Sequence, residues 1–280
     1  MAMGSRCRKQ KRQLHRLPQS GSHDRGLGEL DLDISEVLFD NYTRMYCRWS
    51  ILLLLLLHVA APALAAGDVA IAFGGGGCGK LDGGEALPCR AANFETFADT
   101  ACVLGRNYLH PLIVKTVVGA YATLAKDFPH RTWQYGETGK AEGGPLWPHK
   151  THQNGLAADF FVPVINKKGE PDQVPISVFN KFGYDVEFDK RGRVDGLRID
   201  FGAVGAHLLA LEVSAKSNGV RIDRIIITPD FHAALLREVP AIEHLLPLFM
   251  KKEAWVRHDE HYHVDFELPS NLRRPLACQR

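Results

Sequence analysis

The sequence predicts an α+β fold: one domain with a central antiparallel sheet flanked by helices. Three observations carry this. Apolar residues recur at helical spacing over residues 111–126 and again over 203–217. Runs of β-branched and aromatic residues occupy 131–135, 160–164, 220–228 and 255–268. These segments follow one another without the repeating strand–helix–strand order that builds a parallel sheet.

Residues 1–44 are polar and charged, with Arg6, Arg8, Lys9, Lys11, Arg12 and Arg16 near the start, and read as a disordered or untranslated extension. Residues 45–65 read as a secretory signal. Arg48 gives the basic start, Ile51 and six leucines the apolar core, and Ala63-Leu64-Ala65 the small-x-small cleavage site. The apolar run is shorter than the roughly 20 residues a membrane span needs, so no stable span is expected after cleavage, with an uncleaved signal anchor as the alternative. A signal this far into the chain suggests translation from Met45. The mature domain is then 66–280.

In that domain Gly74 to Gly77 lacks the GK[ST] ending and following helix of a phosphate loop, and reads as a flexible lead-in. Val114, Val117, Val118, Tyr121, Leu124 and Ala125 mark a core helix with Pro111 in its first turn. A strand over 131–135 ends at Gly136. Of Trp133, Tyr135 and Trp147, at least two are expected in the core rather than along a groove. The run from Phe160 to Val164 reads as a strand that Pro163 pushes toward an edge or a bulge. Lys167 to Pro171 reads as a surface turn bordering the cleft. Segments 184–188 and 194–201 are predicted to form a hairpin around 189–193. A buried helix over 203–217 closes at Asn218-Gly219 and carries a structural His207. A strand over 220–228, helices near 233–238 and 241–250, and a strand bearing His258, His261 and His263 complete the domain.

The chain has 280 residues, 45% hydrophobic and 24% charged, which is ordinary for a soluble protein. A formal net charge of +2 with no basic block in the domain argues against nucleic acid as a partner. Four cysteines follow the cleavage site, Cys78, Cys89, Cys102 and Cys278, an even number suited to an oxidising compartment and open to three pairings.

Chemistry concentrates in two segments. The first, His149 to Asp159, holds two histidines and a carboxylate; the second, His258 to His263, holds three histidines, so five of the thirteen histidines sit in two short stretches. A lone histidine near a strand is usually a satisfied polar residue, and a lone aspartate a turn residue. The joint pattern points instead to zinc, which takes imidazole and carboxylate ligands and in catalytic sites keeps one position open. His152, Asp159 and one histidine of the second segment would supply the set. On a strand His261 and His263 share a face, about 7 Å apart, so one can bind metal while the other reaches its water.

His152-x-x-Gly155-x-x-x-Asp159, followed late in the chain by His261-x-His263, resembles the zinc signature of the lysostaphin, D-Ala-D-Ala metallopeptidase and hedgehog superfamily. His149 three residues before His152, His258 three before His261, and Gly143-Gly144 upstream resemble the penicillin-insensitive murein endopeptidases more closely. The likeness covers most of 78–278, including the His110-Pro111 helix start, Trp133 to Glu137, and Ile225 to Pro229. It implies a hedgehog/D-Ala-D-Ala-peptidase-like fold and zinc (Zn2+) held by His152, Asp159 and His263. His149 is either a further ligand or a neighbour that hydrogen-bonds the ligands. No HExxH glutamate is present, so His261 becomes the base or the stabiliser of the tetrahedral intermediate, and His258 bonds water, substrate or ligands. The same resemblance favours pairing Cys78 with Cys278, which leaves Cys89 with Cys102.

The implied substrate is the D-alanyl–diaminopimelate cross-link between peptides of periplasmic peptidoglycan, cut by a zinc-activated water. Two other functions compete. A zinc D,D-carboxypeptidase or dipeptidase would need a cation for the terminal carboxylate, with Arg131 and Arg257 as candidates. A metal-stabilised cell-wall binding protein would need no catalytic histidines. The sequence leaves the oligomeric state open.

Overall fold

A computed structural model describes residues 69–278. The extension 1–44, the signal segment 45–65 and its cleavage site lie outside the described residues. Among the described residues no helix is long and apolar enough to cross a membrane.

Five strands form the central sheet of a mixed α+β unit, in the order Arg221–Ile226, His261–Glu267, Ala157–Phe161, Trp133–Tyr135 and Phe94–Thr96. The first four pair antiparallel. The edge strand Phe94–Thr96 runs parallel to its neighbour, so the sheet is not wholly antiparallel as the sequence predicts.

Strand periodicity sorts this sheet into two working faces. His263 stands opposite Asp159 and Tyr262 opposite Phe160, so His261, His263 and Asp159 share one face while Tyr262, Val264 and Phe160 share the other. The second face is the core. Tyr262 and Phe160 are each 1% exposed, and a one-residue slip would bury the histidine face under the helices and expel the aromatic one. The burial that holds the core therefore also fixes the site.

Two long helices pack on each other and cover the aromatic face. Pro111–Asp127 begins where His110 Nδ1 accepts the Leu112 N–H at 3.2 Å. Phe201–Ser217 begins where the Asp200 carboxylate accepts the Ala203 N–H at 3.0 Å, and Gly219, at φ 69°, closes it after Asn218. Their close approach requires Gly119, where an added Cβ would lie 2.5 Å from Ser214 Oγ.

His207 is structural, as predicted. It is fully buried, its Nδ1 faces the Tyr262 hydroxyl, and its ring stacks on Tyr121 and Trp133. Burial pulls it down to about 3. The unfolded chain, with His207 near its ordinary value of about 6.5, binds more protons between pH 6.5 and 3, so stability falls as pH drops through that window. From pH 6.5 to 4.5 the expected loss is about 2 kcal/mol. Urea unfolding of wild type and His207→Phe at pH 7 and 4.5 measures it. The variant's acid-induced loss should be smaller by that amount, and an equal loss in both would exclude His207 as the cause.

Several local expectations change. The strand over 160–164 starts earlier, at Ala157, and lies inside the sheet. Pro163 ends it, and Val164–Ile165 joins a separate four-stranded sheet. The predicted hairpin turn at 189–193 lies instead at Asp195-Gly196, between Arg193–Val194 and Leu197–Ile199. Both turn residues have positive φ, 45° and 84°, as an Asp-Gly type I′ turn requires. Gly76-Gly77 is the turn of a hairpin between Ile71–Gly75 and Cys78–Asp82 rather than a flexible lead-in. The helix over 241–250 is a 3-10 helix, Pro240–Leu248, with Pro247 inside it. His258 precedes the His261–Glu267 strand, because its carbonyl accepts the Thr228 N–H at 2.7 Å in a loop.

Both disulfides pair as the resemblance implies. Cys78 bonds Cys278, closing the N-terminal hairpin against the C-terminal segment, and Cys89 bonds Cys102. Trp133 and Tyr135 lie in the core, whereas Trp147 is 85% exposed.

Candidate metal centre

Asp159 stands mid-strand on the site face of the sheet and is 1% exposed. Its Oδ2 accepts a hydrogen bond from the Tyr184 hydroxyl at 3.2 Å, which leaves Oδ1 turned toward two histidines. His263 Nδ1 lies 2.8 Å from that oxygen and His152 Nε2 lies 3.3 Å from it. Three donor atoms, two from one short segment and the third from a strand more than a hundred residues on, therefore meet at one point, placed there by the register of two strands and one loop.

The loop is exacting. His152 has φ 68°, a left-handed conformation that non-glycine residues rarely adopt. Its Nδ1 faces the carbonyls of Thr138 at 3.1 Å and Ala157 at 3.3 Å, and carbonyls accept only. Nδ1 must therefore carry the proton, and in the neutral ring the Nε2 lone pair points at the Asp159 carboxylate. Two acceptors facing each other in a buried site call for a cation between them.

His263 repeats the logic. Asp265, two residues on along the same strand face, takes the Nε2–H at 3.1 Å and leaves Nδ1 facing Asp159. Burial works against charging this ring, but its hydrogen bonds to the two flanking carboxylates raise it to about 10. Burial likewise works to raise the Asp159 carboxyl, and the facing imidazoles, His152 and His261 first and then His263, outweigh it and hold the group well below its usual range. The pocket is built for positive charge beside Asp159.

The remaining predicted residues surround this point. Single donor atoms of His149, His152 and Asp159 all lie within 4.8 Å of one another, so His149 belongs to the cluster, although it is less buried than the other two. His261 is 4% exposed. Its Nδ1–H donates to Glu260 at 2.8 Å, and its Nε2 lies 3.8 Å from Asp159 Oδ2. Burial lowers the affinity of His261 for a proton, but Glu260 and then Asp159 reverse that and raise it. His258 is buried, with its ring 4.6 Å from that of His261. Its Nδ1–H donates to the Val256 carbonyl at 2.7 Å, leaving Nε2 as an acceptor. Burial brings His149 and His258 down to about 4 each, so both are neutral at neutral pH.

Sequence reasoning missed the groups that hold these side chains. Tyr184 accepts the Glu137 N–H at 3.1 Å while it donates to Asp159. Burial, then Asp159 and Glu137, push its phenol well above the ordinary range, so it remains a donor. Glu137 is buried and paired with Arg106, whose Nε donates to both carboxylate oxygens at 2.9 and 3.0 Å. Asp259 accepts the Phe188 N–H at 2.6 Å and an Arg257 N–H at 2.9 Å, tying the segment after Tyr184 to the histidine loop. Glu260 and Asp265 were findable, since each sits one or two residues from a candidate histidine.

The two arginines considered for a substrate carboxylate are already engaged. Arg131 pairs with Asp200 at 2.6 Å and donates to the Val164 carbonyl. Arg257 pairs with Asp259 and donates to the Phe188 carbonyl at 2.6 Å.

The family model described as penicillin-insensitive murein endopeptidase matches residues 70–279, a span that contains every residue of the cluster. No curated protein matches the chain. With three quarters of its length matched to one family, the chain belongs to the penicillin-insensitive murein endopeptidases.

Proposed function

We propose that the protein is a zinc-dependent murein endopeptidase that hydrolyses the D-alanyl–diaminopimelate cross-link of peptidoglycan in the periplasm, on a hedgehog/D-Ala-D-Ala-peptidase-like scaffold. The observation that carries this is the convergence of His152 Nε2 and His263 Nδ1 on Asp159 Oδ1, at 3.3 and 2.8 Å. Ligand bonds of about 2.0–2.2 Å in a tetrahedron space donor atoms about 3.3–3.6 Å apart, so the donor types fit the ion, the His152–Asp159 pair already has the spacing, and the His263–Asp159 pair would open by about 0.5 Å to admit it. Bound there, zinc would supply Lewis-acid polarisation of the scissile carbonyl and a water acidic enough to ionise near neutral pH.

The chain's own residues do the rest. Tyr184 fixes the Asp159 carboxylate through Oδ2. Asp265 and the carbonyls of Thr138 and Ala157 fix the tautomers of His263 and His152 so that the correct nitrogens face inward. His261, oriented by Glu260, takes the proton of the attacking water and returns it to the leaving amine. His258 and His149, neutral because they are buried, offer nitrogens that accept hydrogen bonds from water or the substrate amide.

Engagement of Arg131 and Arg257 by carboxylates and carbonyls supports an endopeptidase over a carboxypeptidase. Incubation with cross-linked muropeptide dimers tests this. Monomer release that a chelator abolishes and zinc restores is expected. Loss of terminal D-alanine without monomers would mean a carboxypeptidase, and bound zinc without cleavage a binding protein.

Metal analysis separates the two candidate third ligands. His263→Ala is expected to lose stoichiometric zinc. His149→Ala is expected to retain it while activity falls about 10–100-fold. Loss of zinc in His149→Ala with retention in His263→Ala would exchange their roles.

A further inference from the structure

We infer that Trp147, Phe179 and Trp255 form aromatic platforms around the metal centre that bind sugar rings of the murein glycan strand; the inference rests on the murein reading above. Among the described residues the exposed tryptophans and phenylalanines are Trp147, Phe179, Phe182 and Trp255. All four lie on the three segments that carry site residues. Trp147 precedes His149 by two positions, Phe179 and Phe182 lead into Tyr184, and Trp255 precedes His258 by three.

The segments hold these rings outward. A bridge between Leu146 and His149 leaves Trp147-Pro148 as a turn tip, with Leu146 fully buried beneath it. Arg106, which also pairs with Glu137, donates to the Trp147 carbonyl at 3.2 Å. Phe179 rides on the turn Val178–Gly183, which Ser177 and Asn180 cap reciprocally. The Lys150 ammonium lies 5.0 Å from the Trp255 ring centre. Lys150 directly follows His149, so the His149 and His258 segments meet at one rim. Exposed aromatic rings on hydrogen-bonded loops around a site are surfaces for a partner.

Murein offers two chemistries. Its stem peptides present small aliphatic and charged groups with no flat face. Its glycan presents pyranose rings whose axial C–H groups form a flat apolar patch ringed by hydroxyls. Such a patch packs on the electron-rich face of an aromatic ring while the hydroxyls stay in water. The flat rings at the rim match the sugar, and a glycan strand seated there would carry its cross-link to the metal centre.

The test compares cross-linked dimers that keep their disaccharides with the same dimers stripped of sugar by an amidase. In a Trp147→Ala/Trp255→Ala variant, kcat/KM on the sugar-bearing dimer should fall at least about tenfold, mainly through KM. The same variant should differ less than about twofold from wild type on the stripped dimer. Equal falls on both substrates, or no fall on either, would overturn the inference. So would loss of sedimentation with anionic phospholipid vesicles while both substrates are cut as before, since the rings would then serve a membrane surface. If the wild type cuts neither dimer, the endopeptidase reading fails and glycan binding is read separately. Peptide-free glycan strands should quench wild-type tryptophan emission and not that of the double variant. Absence of quenching would overturn the inference.

Discussion

Asp159→Asn should yield a folded protein with no bound zinc and murein-cleaving activity reduced at least about 10³-fold, since several kilocalories of Lewis-acid stabilisation disappear. The carboxylate is the one donor that both histidines face, at 2.8 and 3.3 Å. Asparagine keeps the shape and can still accept from Tyr184, but its neutral amide removes the charge that draws a divalent cation into a buried site. The fold should survive because the core face of the same strand, Ala158 and Phe160, is untouched. Near-ultraviolet circular dichroism matching chelated wild type, metal content near zero and no monomer release form the expected set. Stoichiometric zinc with wild-type turnover would remove Asp159 from the centre.

That centre was largely legible because its donors lie in two short segments with spacing set by local geometry. His261-x-His263 shares a strand face by the two-residue period, and the period held in the fold. The same period extended one step further would have reached Asp265. What hid Tyr184, Glu137 and Arg106 was distance along the chain. Tyr184 meets Asp159 across 25 residues and Arg106 meets Glu137 across 31, and no local pattern marks either partner. His258 was misplaced on the strand because only a distant group, the Thr228 N–H, claims its carbonyl for a loop. The hairpin error was of another kind. Asp195-Gly196 carried the turn signal in plain view, and the charged 189–193 stretch drew attention from it.

Helix positions were readable for a reason that also shapes the site. Apolar periodicity reports burial against one face, and both long helices bury only on the aromatic face of the sheet. The opposite face, with Asp159, His261 and His263 between 1% and 4% exposed, is closed by loops instead. Loops are covered by specific hydrogen bonds, such as those of Asp259 to Phe188 and Arg257, rather than by periodic packing. The part of the molecule that does chemistry is thus the part whose cover the sequence pattern least describes.

His261→Gln should retain stoichiometric zinc and near wild-type KM while kcat falls about 10²–10⁴-fold, the usual range for a lost acid–base group. Its Nε2 faces the Asp159 side of the centre from 3.8 Å without bonding Oδ1, so metal binding does not depend on it. Glutamine is the informative replacement. Alanine would leave Glu260, 2% exposed, without its imidazole partner, and an unpaired buried charge could unfold the loop. Glutamine can still donate to Glu260 but cannot carry a proton between water and amine. Glu260→Gln then separates orientation from proton transfer. It keeps the imidazole, loosens its hold, and should cost about 10–100-fold. If His261→Gln cleaved at the wild-type rate, the proton would have to move through His258 or His149. Burial holds both near 4, so either could accept a proton only weakly at neutral pH, and the fall in rate would appear on replacing that residue instead.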